Sequence, residues 1–302
     1  MRIVSLLPSL TELVCVLGRG DELVGVTHEC DFPPGVELLP HLTRSKIPLG
    51  ASSLAIDQMV AGEGGSLYEL DEATLADLRP DLILTQEQCD VCAVNEATVR
   101  RSAAKLPGAP PVESVNPTDL GGVFAMFRRI GELLDATAEA EAIVGRFEAT
   151  ARLIADRLGD RPRPRAAILE WLDPPFNSGH WNPEIVERAG GSECVGRRGE
   201  KSRRIAWSDL DEADPDVLIV SACGFAIDRT LRDLELIADR PEWTGLRAVR
   251  NGRVVVTDGS AYFSRPGTRL ETSLRIAAEA IHPERLEGVA PAGSWVAWPA
   301  RI

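Results

Sequence analysis

Short apolar runs alternate along the chain with stretches in which apolar residues recur every three or four positions. The runs predict buried β-strands and the stretches predict amphipathic helices. Predicted strands fall at residues 3–7, 23–26, 80–85, 111–115, 166–169, 215–221 and 253–256. Because helical patterns separate most of these strands, the sequence predicts an α/β fold with mostly parallel sheets covered by helices.

The middle of the chain is helical. Residues 119–134 predict one helix, and from Ala138 to Leu158 apolar residues form a single stripe at spacings of three and four. A helix of that length spans roughly 32 Å at about 1.5 Å per residue, which is enough to cross a small domain. The prolines and the glycine of residues 159–164 end it.

A weak internal repeat flanks this long helix. The segment from Leu70 to Gln86 and the segment from Leu210 to Ser221 each read as a short acidic helix, then Pro-Asp, then a buried strand. This order of elements also recurs in α/β proteins that contain no internal duplication. Its occurrence on either side of the long helix nevertheless favours an internal duplication of the chain. The sequence therefore predicts an N-terminal lobe (1–117), connecting helices (118–160) and a C-terminal lobe (161–302).

Composition narrows the classes of partner. Of 302 residues, 33 are Lys or Arg and 46 are Asp or Glu, which gives a net charge of −13. An acidic chain argues against binding to nucleic acid or to an anionic membrane surface. No apolar run approaches the roughly 20 residues of a membrane-spanning helix. The first residues lack the pattern of a secretory leader, so we expect the chain as given in the cytoplasm, and a trimmed chain in the periplasm or outside the cell.

Candidate ligand contacts follow the predicted strands, since ligands bind at the carboxyl ends of strands in open parallel sheets. All six tryptophans lie at or after position 171, and several aromatic residues fall in strand-end loops. They suit a broad, flat, partly apolar ligand, although such residues also anchor loops to a core. The predicted contacts are Pro8, Ser9, Gln86, Trp171, Phe176, Trp181, Phe225, Tyr262, Phe263 and Arg265.

Two acidic residues flank Trp171. Glu170 and Asp173 could form a general-acid pair, but no third group supports that chemistry, and a solvated rim is the favoured interpretation. Arg265 could meet a carboxylate, phosphate or amide of a ligand, or pair with a nearby acid. The chain has no glycine-rich phosphate-binding motif after a strand, which disfavours a nucleotide cofactor.

A set of cysteine and histidine side chains is the sharpest local pattern. His28, Cys30, Cys89 and Cys92 follow two predicted strands of the N-terminal lobe and could form a tetrahedral zinc site. The Cys89-x-x-Cys92 pair could instead cycle between dithiol and disulfide. His28 could also simply stabilise its loop, with the cysteines as small buried residues.

Four segments resemble the type III substrate-binding proteins of ABC importers, in the branch that binds cobalamin and iron chelates. They are residues 3–12, 78–85, 243–246 and 264–267, in the family's order and spacing. The resemblance implies two lobes, a rigid bridging helix with little hinge closure, a ligand in the cleft between the lobes and an ABC permease as partner. A cytoplasmic sub-branch labelled cobalamin-binding carries similar segments at residues 28–31 and 86–93.

The leading hypothesis is a binding protein for a cobalamin-like corrinoid or a related metal chelate. Separately, His28 or His180 could ligate the cobalt of a bound corrinoid. One alternative is a metal-dependent or thiol-redox enzyme centred on His28, Cys30, Cys89 and Cys92. The other is an exported importer subunit whose signal peptide is missing.

Overall fold

The computed structural model describes residues 1–48, 50–63, 67–87 and 94–298. Its first half contains strands β1 Ile3–Ser5, β2 Leu23–Gly25, β3 Thr43–Ser45, β4 Tyr68–Leu70, β5 Leu82–Gln86 and β6 Val112–Val115. The helices of this half are α1 Pro8–Val16, α2 Ser53–Glu63, α3 Glu72–Leu78, α4 Glu96–Ala103, α5 Leu120–Leu133 and α6 Thr137–Leu158.

The second half continues the same alternation. Its strands are β7 Arg165–Leu172, β8 Pro175–Asn177, β9 Ser192–Glu193, β10 Val217–Val220, β11 Val254–Thr257 and β12 Trp295–Trp298. Its helices are α7 Asn182–Arg188, α8 Trp207–Ala213, α9 Ile227–Ile237, α10 Pro241–Thr244, α11 Arg247–Arg250, α12 Leu270–Ile281 and α13 Pro283–Leu286. None of the described helices is both long and apolar enough to cross a membrane.

The described chain falls into two compact units. The first consists of Met1–Ala51, Ala55–Pro117 and Phe124–Ile143. The second consists of Ser52–Leu54, Thr118–Val123 and Val144–Ile302. Helix α6 therefore contributes residues to both units, and the predicted α/β fold with two lobes and a single bridging helix is confirmed.

The sheet of the first unit is wholly parallel, with strand order β2-β1-β5-β6. Its two central strands, β1 and β5, are buried along their whole length, as expected for a parallel sheet with helices on both faces. One face packs Val4, Ile83 and Val99 into a buried cluster. The strands β3 and β4, which α2 separates in sequence, form a separate two-stranded antiparallel sheet.

The sheet of the second unit has the order β12-β11-β10-β7-β8, and β9 also pairs with β7. Strands β7, β10 and β11 are parallel, whereas β8 and β12 run antiparallel at the two edges. Trp243 is fully buried beneath this sheet, where the ring of Trp298 lies edge-on to it at 5.6 Å. The C-terminal tryptophans, which the sequence left unassigned, are thus part of the edge strand β12.

Candidate functional site

In the first unit, the predicted polar contacts lie at the carboxyl ends of the sheet. Pro8 and Ser9 form the first turn of α1 directly after β1, and Gln86 is the last residue of β5. All three are buried. Since β1 and β5 are neighbouring strands, the fold brings these residues to one edge.

His28 and Glu29 follow β2 at the same edge. The Nδ1 atom of His28 lies 2.6 Å from Thr43 Oγ1, and the Tyr68 hydroxyl donates to Glu29 Oε1 at 3.0 Å. His28 Nε2 lies 3.8 Å from Glu29 Oε1. Burial is the main cause that lowers the pKa of His28, so the imidazole is neutral at neutral pH.

Cys30 has different surroundings from His28. Its side chain is buried with Val26 and Val36, and its Sγ atom contacts the hydroxyls of Thr11 and Thr27 at 3.1 and 3.3 Å. Cys89 and Cys92 lie outside the described residues, so the four-residue metal site stays a prediction. Among the residues that the structure describes, no group of three or more His, Cys, Asp or Glu side chains could hold a metal ion.

In the second unit, Trp171 and Phe225 contact each other, with ring centroids 5.0 Å apart. The Arg229 guanidinium lies 4.6 Å from the centre of the Phe225 ring and donates to Asp233 at 3.0 Å. Phe176, on β8, is the register partner of Trp171. Trp171, Phe176 and Phe225 are all partly exposed, so this cluster offers an aromatic face at the carboxyl ends of β7 and β10.

The backbone of Ser53 is bound to this aromatic cluster. Its amide donates to Asp233 Oδ2 at 2.9 Å, and its carbonyl accepts a hydrogen bond from Trp171 Nε1 at 3.2 Å. Ser53 is the first residue of α2, whose first amides have no acceptor within the helix. Asp233 therefore supplies an acceptor to the start of α2 from a helix 180 residues away in sequence.

Trp181 and Phe263 are less accessible than the other predicted contacts. Phe263 is fully buried and Trp181 is 3% exposed. Trp181 Nε1 donates to the Phe263 carbonyl at 2.8 Å, and the Phe263 amide donates to Ser273 Oγ at 3.1 Å. The first bond ties the loop after β8 to the loop after β11, and the second ties the latter loop to α12.

Phe263 also has a φ of +60°, a conformation that is costly for a bulky residue. The preceding residue, Tyr262, is partly exposed, and the centre of its ring lies 5.8 Å from the Arg269 guanidinium. Arg265, two residues after Phe263, is also partly buried.

Glu170 and Asp173 are both partly exposed, and each also has bonding partners within the second unit. The Glu170 carboxyl accepts hydrogen bonds from the Gly179 amide at 3.1 Å and from Asn182 Nδ2 at 2.8 Å. Burial is the largest influence on Glu170 and raises its pKa. Asp173 forms a two-pronged ion pair with Arg240, at 3.2 and 2.7 Å. Both acids therefore fix loops of the second unit.

Several buried polar atoms without a partner lie near strand ends. Among the described residues, eight buried side-chain polar atoms have no hydrogen-bond partner, and four of them, Ser9 Oγ, His28 Nε2, Thr85 Oγ1 and Ser114 Oγ, lie at or just after the carboxyl ends of the parallel strands of the first unit. The others are His180 Nε2, Asn182 Oδ1, Trp243 Nε1 and Ser264 Oγ of the second unit. A buried polar group without a partner costs about 1–3 kcal/mol, so these edges are suited to a polar ligand or ordered water.

Three charged residues that lie beside the predicted aromatic contacts were not predicted from the sequence. Arg229, Asp233 and Arg269 lie on or next to helices whose patterns carry no ligand-binding motif. The four-residue spacing of Arg229 and Asp233 indicates an ion pair on one helix face. It does not show that Phe225 and Ser53 lie beside that pair, because those contacts depend on tertiary packing.

Comparison with known proteins agrees with this architecture. The chain is 22% identical over 236 residues to the vitamin B12-binding protein of Yersinia pestis, which covers 75% of this chain and 71% of that protein. Among solved structures, a periplasmic heme-binding protein from Pseudomonas aeruginosa is similar, with a TM-score of 0.72 and 21% identity over 94% of this chain and 93% of that one. The periplasmic vitamin B12-binding protein of Vibrio cholerae has a TM-score of 0.65 and 18% identity, over 93% and 96% of the two chains.

Two α/β units, each built on mostly parallel strands, share the long helix α6, and this architecture defines a substrate-binding protein of the type III fold. The sequence model of the family described as periplasmic binding protein matches residues 3–261. The chain belongs to that family.

Proposed function

We propose that this protein binds a cobalamin-like corrinoid or a related tetrapyrrole-like metal chelate. The observation that carries the proposal is the family membership over residues 3–261, together with relatives named for binding vitamin B12 and heme. Corrinoids and hemes present a broad, flat and partly apolar face. Aromatic side chains that are partly exposed at the edge of a sheet suit such a face.

On the second unit, Trp171, Phe176, Phe225 and Tyr262 would contact the ligand. Each is partly exposed at a strand end. Trp181 and Phe263, which are buried, would support those contacts through the bond that joins their loops. Arg265 would meet a carboxylate, phosphate or amide of the ligand.

On the first unit, Pro8, Ser9 and Gln86 would supply a polar edge. Ser9 Oγ is a buried hydroxyl without a partner in the described structure, so a ligand group that bonds it would remove a cost of about 1–3 kcal/mol. The corrin ring carries amide side chains that can both donate and accept hydrogen bonds. This chemistry matches a hydroxyl and a carboxamide.

The proposed biological role is delivery of the ligand to an ABC permease. It rests on the resemblance to importer subunits and on the family's description as periplasmic. Fractionation of cells that express the natural gene, followed by detection of the protein in each fraction, distinguishes a transport role from an intracellular one.

The ligand is tested by mixing the protein with hydroxocobalamin or with hemin, desalting, and recording the visible spectrum of the protein fraction. Near-equimolar colour that elutes with the protein is expected for at least one of the two compounds. Absence of retained colour with both would contradict the proposal.

A matched pair of variants tests the aromatic cluster of Trp171, Phe176 and Phe225. Phe225→Ala removes the ring that contacts Trp171 and Arg229, so we expect affinity to fall at least about tenfold, or ~1.4 kcal/mol. Leu236→Ala is the control, since Leu236 lies on α9 of the same unit and is 67% exposed. Equal affinity of the two variants, measured by titration of the ligand's absorbance, would place the binding surface elsewhere.

A further inference from the structure

Two potential metal ligands at the end of β2 are each oriented by a second side chain. His28 is held through Nδ1 by Thr43 Oγ1 at 2.6 Å, and Glu29 is held through Oε1 by the Tyr68 hydroxyl at 3.0 Å. Thr43 and Tyr68 both lie on the two-stranded sheet of β3 and β4. The rings of His28 and Tyr68 are 5.3 Å apart. This small sheet thus fixes the orientation of both side chains.

The second imidazole nitrogen of His28, Nε2, faces the same carboxylate oxygen of Glu29 that accepts from Tyr68. His28 Nε2 and Glu29 Oε1 are 3.8 Å apart, which is too long for a hydrogen bond. His28 Nε2 is buried and has no hydrogen-bond partner in the described structure. A cavity of about 10 Å³ adjoins both residues and is lined also by Pro8, Thr27 and Val94. That volume accommodates one water-sized particle.

We propose that His28 Nε2 and Glu29 Oε1 bind a divalent transition-metal ion such as zinc. An ion about 2.0–2.2 Å from each atom fits between a nitrogen and an oxygen 3.8 Å apart. The flanking bonds match known metal sites, in which the second nitrogen of a ligating histidine and the ligating carboxylate are themselves hydrogen-bonded. Water completes the coordination.

This site differs from the four-residue cysteine site that the sequence predicts. Glu29 takes the place of Cys30, whose Sγ atom contacts two threonine hydroxyls within an apolar cluster. The ligand set is nitrogen and oxygen, which suits zinc, cobalt or nickel. Every residue named here lies in the first unit, and of these residues only Pro8 is also among the proposed contacts of the corrinoid or heme.

The test uses the full chain, stripped of metal and titrated with Co²⁺, followed by competition with Zn²⁺. We expect one equivalent of bound cobalt whose spectrum lacks a thiolate-to-cobalt charge-transfer band. His28→Gln and Glu29→Gln should each weaken binding at least about tenfold, and Thr43→Val and Tyr68→Phe about tenfold through loss of orientation. Glu69→Gln, at an exposed carboxylate on β4 of the same small sheet, is the matched control and should bind as the unaltered protein does.

A variant with Cys30→Ser, Cys89→Ser and Cys92→Ser tests the rival site. Retention of cobalt by this variant supports the proposal. Loss of cobalt there, a thiolate charge-transfer band in the unaltered protein, or no stoichiometric binding at all would overturn it. Hydroxocobalamin and hemin binding, measured on the same Glu29→Gln protein, reports separately on the proposed function.

Discussion

At the scale of single residues, Glu193 couples the stability of the protein to pH. Its carboxyl accepts hydrogen bonds from the Val195 and Gly196 amides and from Ser178 Oγ. Desolvation nevertheless dominates and raises the pKa of Glu193 to about 7. The neighbouring thiol responds in the same way, since burial raises the pKa of Cys194 to about 12 and makes it a poor nucleophile.

The first prediction concerns Glu193→Gln. The carboxyl has a pKa of 4.5 in the unfolded chain and about 7 in the folded one. Its neutral form therefore favours folding, and this contribution is complete below about pH 4.5 and is lost as the pH rises through 7. Relative to the glutamine variant, the free energy of unfolding should fall by up to about 3 kcal/mol over that range.

Urea titrations of both proteins at about pH 5 and about pH 8 measure this difference. Glu170, whose pKa is also raised, contributes with the same sign in both proteins and cancels from the comparison. Identical pH dependence of the two proteins would show that Glu193 is ionised in the folded state.

Phe263 gives the second prediction, because its aromatic ring is fully buried. Phe263→Ala should lower the free energy of unfolding by about 3–5 kcal/mol, through lost burial and the cavity that remains. Leu236→Ala, at an exposed position of the same unit, should change it by no more than about 0.5 kcal/mol. Chemical denaturation of both variants checks this; a mild effect at Phe263 would indicate a loop that repacks.

At the scale of secondary-structure elements, the start of α2 is held by side chains of β7 and α9. Trp171 and Asp233 bond both polar groups of the Ser53 backbone. The exposed face of Trp171 and its indole N–H thus have separate roles. The face can contact a ligand while the N–H stabilises a helix start.

The third prediction follows from that separation. Trp171→Phe keeps an aromatic ring but removes the donor to the Ser53 carbonyl, which should cost about 1 kcal/mol. If α2 opens locally, hydrogen exchange of its first-turn amides should accelerate about fivefold. Trp207→Phe, the same substitution at a ring that packs against Trp243, is the control. Unchanged exchange in Trp171→Phe would mean that Asp233 alone holds the helix start.

At the scale of the whole molecule, the two units are interleaved in sequence. The second unit takes Ser52–Leu54 and Thr118–Val123 as well as the chain from Val144 onward. Within α6, Phe147, Ile154 and Leu158 belong to the second unit and are buried. A cut after α6 therefore removes part of a core rather than a linker.

The fourth prediction compares two fragments. Residues 161–302 lack those three side chains, whose burial stabilises by about 1.5–3 kcal/mol each. That loss is comparable with the whole stability of a typical domain, about 5–15 kcal/mol. We expect no cooperative urea transition for this fragment and a weakened but cooperative one for residues 144–302. Cooperative unfolding of both at the same urea concentration would contradict the assignment of α6.

The sequence predicted the bounds of an element accurately where one spacing of apolar residues continued over many positions. The long stripe from Ala138 to Leu158 predicted α6 to within one residue, because a 22-residue helix repeats its apolar spacing many times. The two-stranded sheet of β3 and β4 was missed, since three-residue strands show too few alternations to be recognised. Helix α7 was missed as well, because it is only seven residues long and its five buried residues include polar ones.

The sequence alone determined the alternating α/β order, the bridging helix and the strand ends at which candidate side chains follow. Those features depend on local spacing and on the rule that parallel strands end at one edge. Only the tertiary structure decided which of those side chains are accessible and what they contact. In the tertiary structure Phe263 is buried and the Glu170 carboxyl accepts a hydrogen bond from Asn182. Trp171 donates to the Ser53 carbonyl, and His28 Nε2 lies 3.8 Å from Glu29 Oε1. These outcomes depend on contacts between residues far apart in the chain, which no local pattern encodes.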